Sequence, residues 1–206
     1  MHTLVIDCAT EACSVALFDG TALIAGDCRR LGRGHAEALV PMIAALPGGG
    51  RAGRIAVALG PGSFTGVRVG LAAARALAFA WQAALVGYAT PALIAAMARA
   101  SHGAQDVAVV TTGGHGEWFV QQFDGAGQPR GALASLGADA AVRAVAADLV
   151  AGSQAEALVA ARGHGLALPI WPDARAFAAL PDHALTADIT PLYGRAPDAR
   201  LPAAAT

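Results

Sequence analysis

The stretch Gly60-Pro61-Gly62-Ser63-Phe64-Thr65-Gly66-Val67-Arg68 constrains this 206-residue chain more than any other. It follows the apolar run 54–59 and opens an apolar segment that reaches about residue 80, which reads as strand, glycine-rich turn and helix. Glycine at positions 60, 62 and 66 permits backbone angles closed to other residues, and Ser63 or Thr65 can cap a helix over 66–80. A turn of this kind presents backbone N–H groups at a helix start, where an anion can sit. The chain contains no lysine, however, so the phosphate loop that depends on one is excluded, and any phosphate here would be held by backbone and arginine. The residues leave two readings open, a ligand loop and a rigid connector that fixes where the next helix lies, with the connector favoured.

The 55% hydrophobic content and a mean hydropathy of +0.49 would suit a membrane protein, but alanine accounts for much of both. The longest apolar candidate, 71–89, is interrupted by Arg75 and Gln82, so no membrane span is expected. The N-terminal apolar run lacks a basic flank and meets Asp7, so no signal peptide is expected and the predicted location is cytoplasmic. Cys8, Cys13 and Cys28 form no C-x-x-C pair and point to reduced, buried thiols. The net charge is −1 and the basic residues are scattered arginines, which excludes the basic stripe of a primary nucleic-acid binder.

In chain order, strands are predicted over 3–8, 13–18 and 21–27, the last two joined by the hairpin signal Asp19-Gly20. A helix over 34–46 follows, carrying Ala36, Leu39, Val40, Ile43 and Leu46 at helical spacing, with a kink expected at Pro41 and a stop at Pro47-Gly48-Gly49-Gly50. Strand 54–59, helix 66–80 and strand 83–88 complete a β-β-β-α-β-α-β order, a mixed sheet covered by helices. An alanine-rich helix over 91–100 leads to a second lobe with a hairpin, 106–111 and 117–123, around Thr112-Gly113-Gly114-His115-Gly116. Helices over 138–149 and 154–162, separated by a short strand near Val150, come next. From Pro169 onward prolines predict irregular chain, one short helix over 174–180 and a frayed end. The expected division is 1–102 for the first lobe, 103–190 for a smaller second lobe and 191–206 for a segment that returns to the first lobe or frays.

Two motifs together resemble the TsaB family of bacterial tRNA threonylcarbamoyladenosine biosynthesis. They are Asp7-x-x-Thr10 with Glu11-Ala12-Cys13-Ser14-Val15-Ala16-Leu17, and the Gly60–Arg68 stretch itself. His35, the run Leu39-Val40-Pro41-Met42-Ile43 and Pro191-Leu192-Tyr193-Gly194-Arg195 support it, and the resemblance covers roughly residues 3–100. It implies an α/β fold of the actin, sugar-kinase and Hsp70 ATPase type (ribonuclease H-like), with two related lobes, the second reduced. It implies a non-catalytic subunit that binds and activates a TsaD-type transferase acting on adenosine 37 of tRNAs reading codons that begin with A. A TsaE-type ATPase would be reached through the complex, tRNA would be touched only indirectly, and the free chain could pair as a homodimer. No cofactor of its own is implied, with ATP or ADP at the complex interface the one nucleotide to consider.

One departure matters. Where the family has Asp-x-Arg-x-Gly-Glu-x-Tyr, this chain has Thr112-Gly113-Gly114-His115-Gly116-Glu117-Trp118-Phe119, keeping Gly116 and Glu117 only. The replacement is similar to the Ser-Gly-Gly-His turn of the catalytic sister subunit, which makes Asp7, Thr10, Gly113 and Gly114 the candidate nucleotide-binding residues. The six histidines offer no helical pair three or four apart, so metallopeptidase chemistry is not expected, and Gly-Ser-x-x-Gly is not the G-x-S-x-G of a hydrolase. Two hypotheses therefore stand, a binding subunit and an ATP-dependent kinase or ATPase of the same fold. The binding reading assigns the partner surface to His35, Leu39, Ile43, Arg68, Gly70, Ala74 and Ala78, because the small side of the second helix, if open to water, would let another helix approach closely.

Overall fold

The run Thr3-Leu4-Val5-Ile6 has apolar or β-branched residues on both sides of the strand, which suits a strand covered on both faces. In the computed structural model, which describes residues 1–194, this segment is β1 (His2–Asp7), with every residue after His2 buried. It lies at the centre of a six-stranded sheet with β2 (Ala12–Asp19), β3 (Ala22–Arg30), β4 (Arg54–Ala58), β5 (Ala84–Tyr88) and β11 (Leu185–Thr186), in the order β11-β5-β4-β1-β2-β3. β1 runs antiparallel to β2 and parallel to β4. The expected opening meander is therefore present, and Gly20 takes the positive φ of 58° that its turn requires.

Helices α1 (His35–Ala44) and α2 (Phe64–Trp81) pack side by side on one face of this sheet. α1 runs through Pro41 without a break and turns its Leu39, Met42 and Ile43 side inward, leaving Ala36 and Val40 in water. The other face is covered by α3 (Thr90–His102) and a 3₁₀ segment (Ala174–Ala179) whose Phe177 ring meets Phe18 and Tyr88 at 6.0 and 5.8 Å. α3 is apolar nearly all round because it is the middle layer. Beyond it stands a second sheet, β10-β9-β6-β7-β8, built from β6 (Val107–Thr112), β7 (Trp118–Phe123), β8 (Pro129–Leu136), β9 (Leu149–Ala151) and β10 (Leu166–Leu168). The two-residue period of β6 divides its contacts. Val107 and Val109 join the large core around α3, while Ala108 and Val110 join a second core under α4 (Ala138–Ala144) and α5 (Ala155–Arg162).

The expected helix over 138–149 is thus shorter. The Gln122 side chain accepts from Ala146 N–H at 2.9 Å and donates to the Ala144 carbonyl at 3.2 Å, closing the helix end and releasing the chain into β9. Strands β8, β10 and β11 were not expected. Arg195 of the C-terminal signature, the remainder of the 191–206 segment and the frayed end lie outside the described residues. Among the described residues no helix is long and apolar enough to cross a membrane.

Candidate functional site

Where β1 ends, the chain turns through Cys8–Glu11 into β2. Thr10 Oγ1 accepts from Ala12 N–H at 3.2 Å, and His35 Nε2 lies 2.9 Å from the Thr10 carbonyl oxygen, tying the head of α1 to the turn. The Glu11 carbonyl takes Leu31 N–H and Gly32 N–H at 2.9 and 3.0 Å.

The glycine-rich stretch locks onto this turn. Ser63 N–H donates to the Ala9 carbonyl at 2.7 Å, and the Ser63 hydroxyl caps α2 by accepting from Gly66 N–H at 3.2 Å. A Cβ at Gly62 would run into the Ala9 carbonyl, and one at Gly66 into that of Cys8. Those two glycines are required by close backbone approach, which is what a connector that sets α2 against the sheet demands. The chain comes back beside it, with Leu192 N–H donating to the Leu59 carbonyl at 2.8 Å. Tyr193 then stands over Phe64, ring centres 5.6 Å apart, while the Arg68 guanidinium lies 3.8 Å above the Phe64 ring and its Nε is 3.4 Å from the Tyr193 hydroxyl.

Facing this wall is the β6–β7 turn. Gly113 N–H donates to the Glu117 carbonyl at 2.8 Å and Glu117 N–H to the Gly114 carbonyl at 3.1 Å, with positive φ at His115 and Gly116. Thr112 is fixed from α5's approach, since the Ser153 hydroxyl accepts from its N–H at 3.0 Å and Gln154 Nε2 donates to its Oγ1 at 2.9 Å. Between the two walls lies a cleft of about 800 Å³ lined by Thr10, Ser63, Phe64, Arg68, Thr112, Gly113, Gly114 and Tyr193, among others. It offers hydroxyls, one guanidinium, an aromatic pair and glycine backbone, a set suited to a polar or anionic ligand with a flat group.

Thr10, Gly113, Gly114 and Arg68 are therefore brought together, whereas Asp7 is not among them. Its carboxylate is buried on the opposite face of the sheet from α2, where Oδ1 accepts from Ala9 N–H at 3.0 Å and Tyr88 Oη donates to Oδ2 at 3.3 Å. Burial raises its pKa from 3.8 to about 7, against the lowering effect of those two hydrogen bonds. The same burial pushes Tyr88 up as well. Across the interior, Asp173 is held below the usual carboxylate range: burial opposes ionisation, but Arg175 grips it through paired bonds of 2.7 to 3.0 Å. The carboxylate that does line the cleft, Glu11, accepts from Trp171 Nε1 at 3.1 Å. Among the described residues no three His, Cys, Asp or Glu side chains cluster closely enough to hold a metal ion.

The expected open face of small residues on α2 is corrected. Gly70 and Ala74 are buried and Ala78 is half-buried, because a Cβ at Gly70 would stand in contact with Cys8, Ile6 and Val57 of the chain's own sheet. His35, Leu39 and Ile43 are likewise buried, and of the seven interface candidates only Arg68 is exposed. Among the side chains that these two helices present to water are Val40, 62% exposed, and Phe79, 89% exposed, with Ala36, Ala72 and Ala76 and the charged Glu37 and Arg75. Sequence reading missed Phe79, whose signal was an aromatic residue off the inward stripe of α2. It also missed Phe64, although that residue stands inside the organising motif.

With this geometry, the chain can be set beside known proteins. The family model described as TsaD, tRNA N6-adenosine threonylcarbamoyltransferase, matches residues 29–182. The chain is 36% identical over 129 residues to the tRNA threonylcarbamoyladenosine biosynthesis protein TsaB of Escherichia coli K12, an alignment covering 60% of this chain and 55% of the relative, so it spans about half the length of that curated protein. YeaZ from Pseudomonas aeruginosa is similar in structure, with a TM-score of 0.75 at 28% identity over 93% of this chain and 99% of that one. The ethanolamine utilization protein EutJ of Carboxydothermus hydrogenoformans shares the fold alone, with a TM-score of 0.52 at 13% identity over 88% and 90% of the two chains. The two-sheet architecture is that of the actin, sugar-kinase and Hsp70 ATPase group, as the sequence resemblance implied. The chain therefore belongs to the TsaB/YeaZ family, matched over residues 29–182 by the model described as TsaD, tRNA N6-adenosine threonylcarbamoyltransferase.

Proposed function

We propose that this protein is a non-catalytic subunit in tRNA threonylcarbamoyladenosine biosynthesis, which docks on and activates a TsaD-type transferase forming N6-threonylcarbamoyladenosine at position 37 of tRNAs that read codons beginning with A. The observation that carries the reading is the placement of Asp7. A kinase or ATPase of this fold would need that carboxylate facing the cleft, and here it is sealed under Tyr88. The name of the Escherichia coli relative places that protein in the same pathway. The docking surface is the water-facing side of α1 and α2 around Val40 and Phe79, where a large exposed ring can supply the buried aromatic anchor of an interface. The free chain can use the same surface to pair with itself, and a TsaE-type ATPase and tRNA would be reached through the complex.

A second reading, an ATP-dependent enzyme, is favoured by the cleft itself, which sets Thr10 and Arg68 opposite the Gly113-Gly114 turn. The same cleft fits ATP or ADP held without turnover. The test combines the purified chain with the transferase subunit of its own organism, follows association by size-exclusion chromatography and calorimetry, and measures threonylcarbamoylation of tRNA. Phe79→Asp should fold normally, since its ring is in water, yet lower affinity by about tenfold or more by burying an unpaired charge. Unchanged affinity in Phe79→Asp would move the interface elsewhere, and ATP turnover by the isolated chain above background would overturn the non-catalytic reading.

A further inference from the structure

The register of β1 and β2 pairs His2 with Asp19 and continues to Asp7 with Ser14, so one further step sets Cys8 directly opposite Cys13. Residues directly opposite on antiparallel strands have Cα atoms about 4.5 to 5.5 Å apart, inside the range a disulfide spans. The two sulfurs are 3.6 Å apart, and both thiols are buried and free. They lie on the α2 side of the sheet, where a Cβ at Gly70 would touch Cys8. Cys28 is placed differently. It pairs across the strands with Ser14, and therefore belongs to the opposite face from Cys13.

We propose that Cys8 and Cys13 form a reversible dithiol–disulfide couple, oxidised by a small peroxide, at the base of the turn whose residues Ala9, Thr10 and Glu11 line the cleft. In the first step a thiolate attacks one peroxide oxygen, the O–O bond breaks, and the sulfur becomes a sulfenic acid as one water leaves. In the second the other thiol displaces the hydroxyl, forming the S–S bond and releasing a second water. Two thiols and one hydrogen peroxide thus give one disulfide and two waters, with two electrons passing from sulfur to oxygen. Each thiol is the nearest sulfur to the other, so whichever is oxidised first has its resolving partner already in place. Closing the bond draws the sulfurs from 3.6 Å to about 2.05 Å, a movement within reach of side-chain rotation. The consequence is local. The turn that carries Thr10, and that receives Ser63 N–H through Ala9, becomes cross-linked at its base.

The test uses the full-length protein, native, with hydrogen peroxide as the oxidant. After oxidation, free thiols are blocked under denaturing conditions and the chain is cleaved after Glu11, which separates Cys8 from Cys13 unless a disulfide joins the two peptides. The expected result is a protein two hydrogens lighter, with residues 1–11 linked to the peptide that follows, in wild type and in Cys28→Ser alike. The link should be absent in Cys13→Ser and should be undone by dithiothreitol. Separate peptides in oxidised wild type, or a link that disappears in Cys28→Ser, would overturn the proposal.

Discussion

Asp7→Asn should stabilise this protein, and by an amount that depends on pH. The Asp7 carboxyl has a pKa of about 7 in the folded chain against 3.8 in the reference state. Below 3.8 both states carry the proton, and Asp7 contributes no pH dependence. Between 3.8 and 7 the unfolded chain has released the proton while the folded chain keeps it, so unfolding becomes more favourable as pH rises. Above about 7 the folded state is ionised too, and the loss is complete. At 1.36 kcal/mol per unit, a rise of roughly three units amounts to about 4 kcal/mol. Asparagine has the same shape and cannot ionise. Its oxygen can keep the bond from Ala9 N–H, and its amide can donate to Tyr88 Oη, whose own hydrogen turns to the Ile6 carbonyl at 3.4 Å. Thermal melts of both proteins from pH 4 to pH 8.5 make the test, because shifts from groups that do not interact with Asp7, such as Asp124, cancel in the difference. The two should nearly coincide at pH 4. At pH 8 the variant should melt higher by about 10 °C, taking a few degrees per kcal/mol for a chain of this length. Parallel curves, with a difference independent of pH, would show that burial does not hold the Asp7 proton and would overturn the prediction.

Ala74→Arg places a long cation where the side chain is fully buried against the sheet, and should cost more than about 4 kcal/mol, with loss of the cooperative melt or a transition far below wild type. A melt within a few degrees of wild type would show that the face is open after all. Gly62→Ala drives a methyl group into the Ala9 carbonyl and should lower stability by about 2 kcal/mol or more, read by chemical denaturation. A neutral result would mean that the turn has room to move away from β1.

The same physics decides what was legible in the sequence and what was not. Asp19-Gly20 and the Gly60–Arg68 motif announced a hairpin and a connector because the backbone conformations they permit are few, and both stand where they were expected. Strand β8 was hidden by Pro129 and Gly131 and by a register shift against β7, none of which leaves an alternating pattern to read. The period of two also held information that was not used. Thr3, Val5 and Asp7 share one face of β1 and Leu4, Ile6 and Cys8 the other, so once α2 covers Ile6 and Cys8, Asp7 must point away from it, toward Tyr88.

The small stripe on α2 was read correctly as a place of close approach and wrongly as a place for a partner. Glycine and alanine at 70 and 74 state that something comes near the helix backbone, but the sequence does not state what. The approach is to Cys8 and Ile6 at the far N-terminal end of the chain and to Val57 in the strand just before the helix. A helix that uses its narrow side on its own sheet turns a different side to water, and on α2 that side carries Phe79. The inward packing of Gly70 and the exposure of Phe79 are therefore one fact about the rotation of α2 about its axis. Any variant that rotates the helix should bury the ring and loosen the Cys8 contact together.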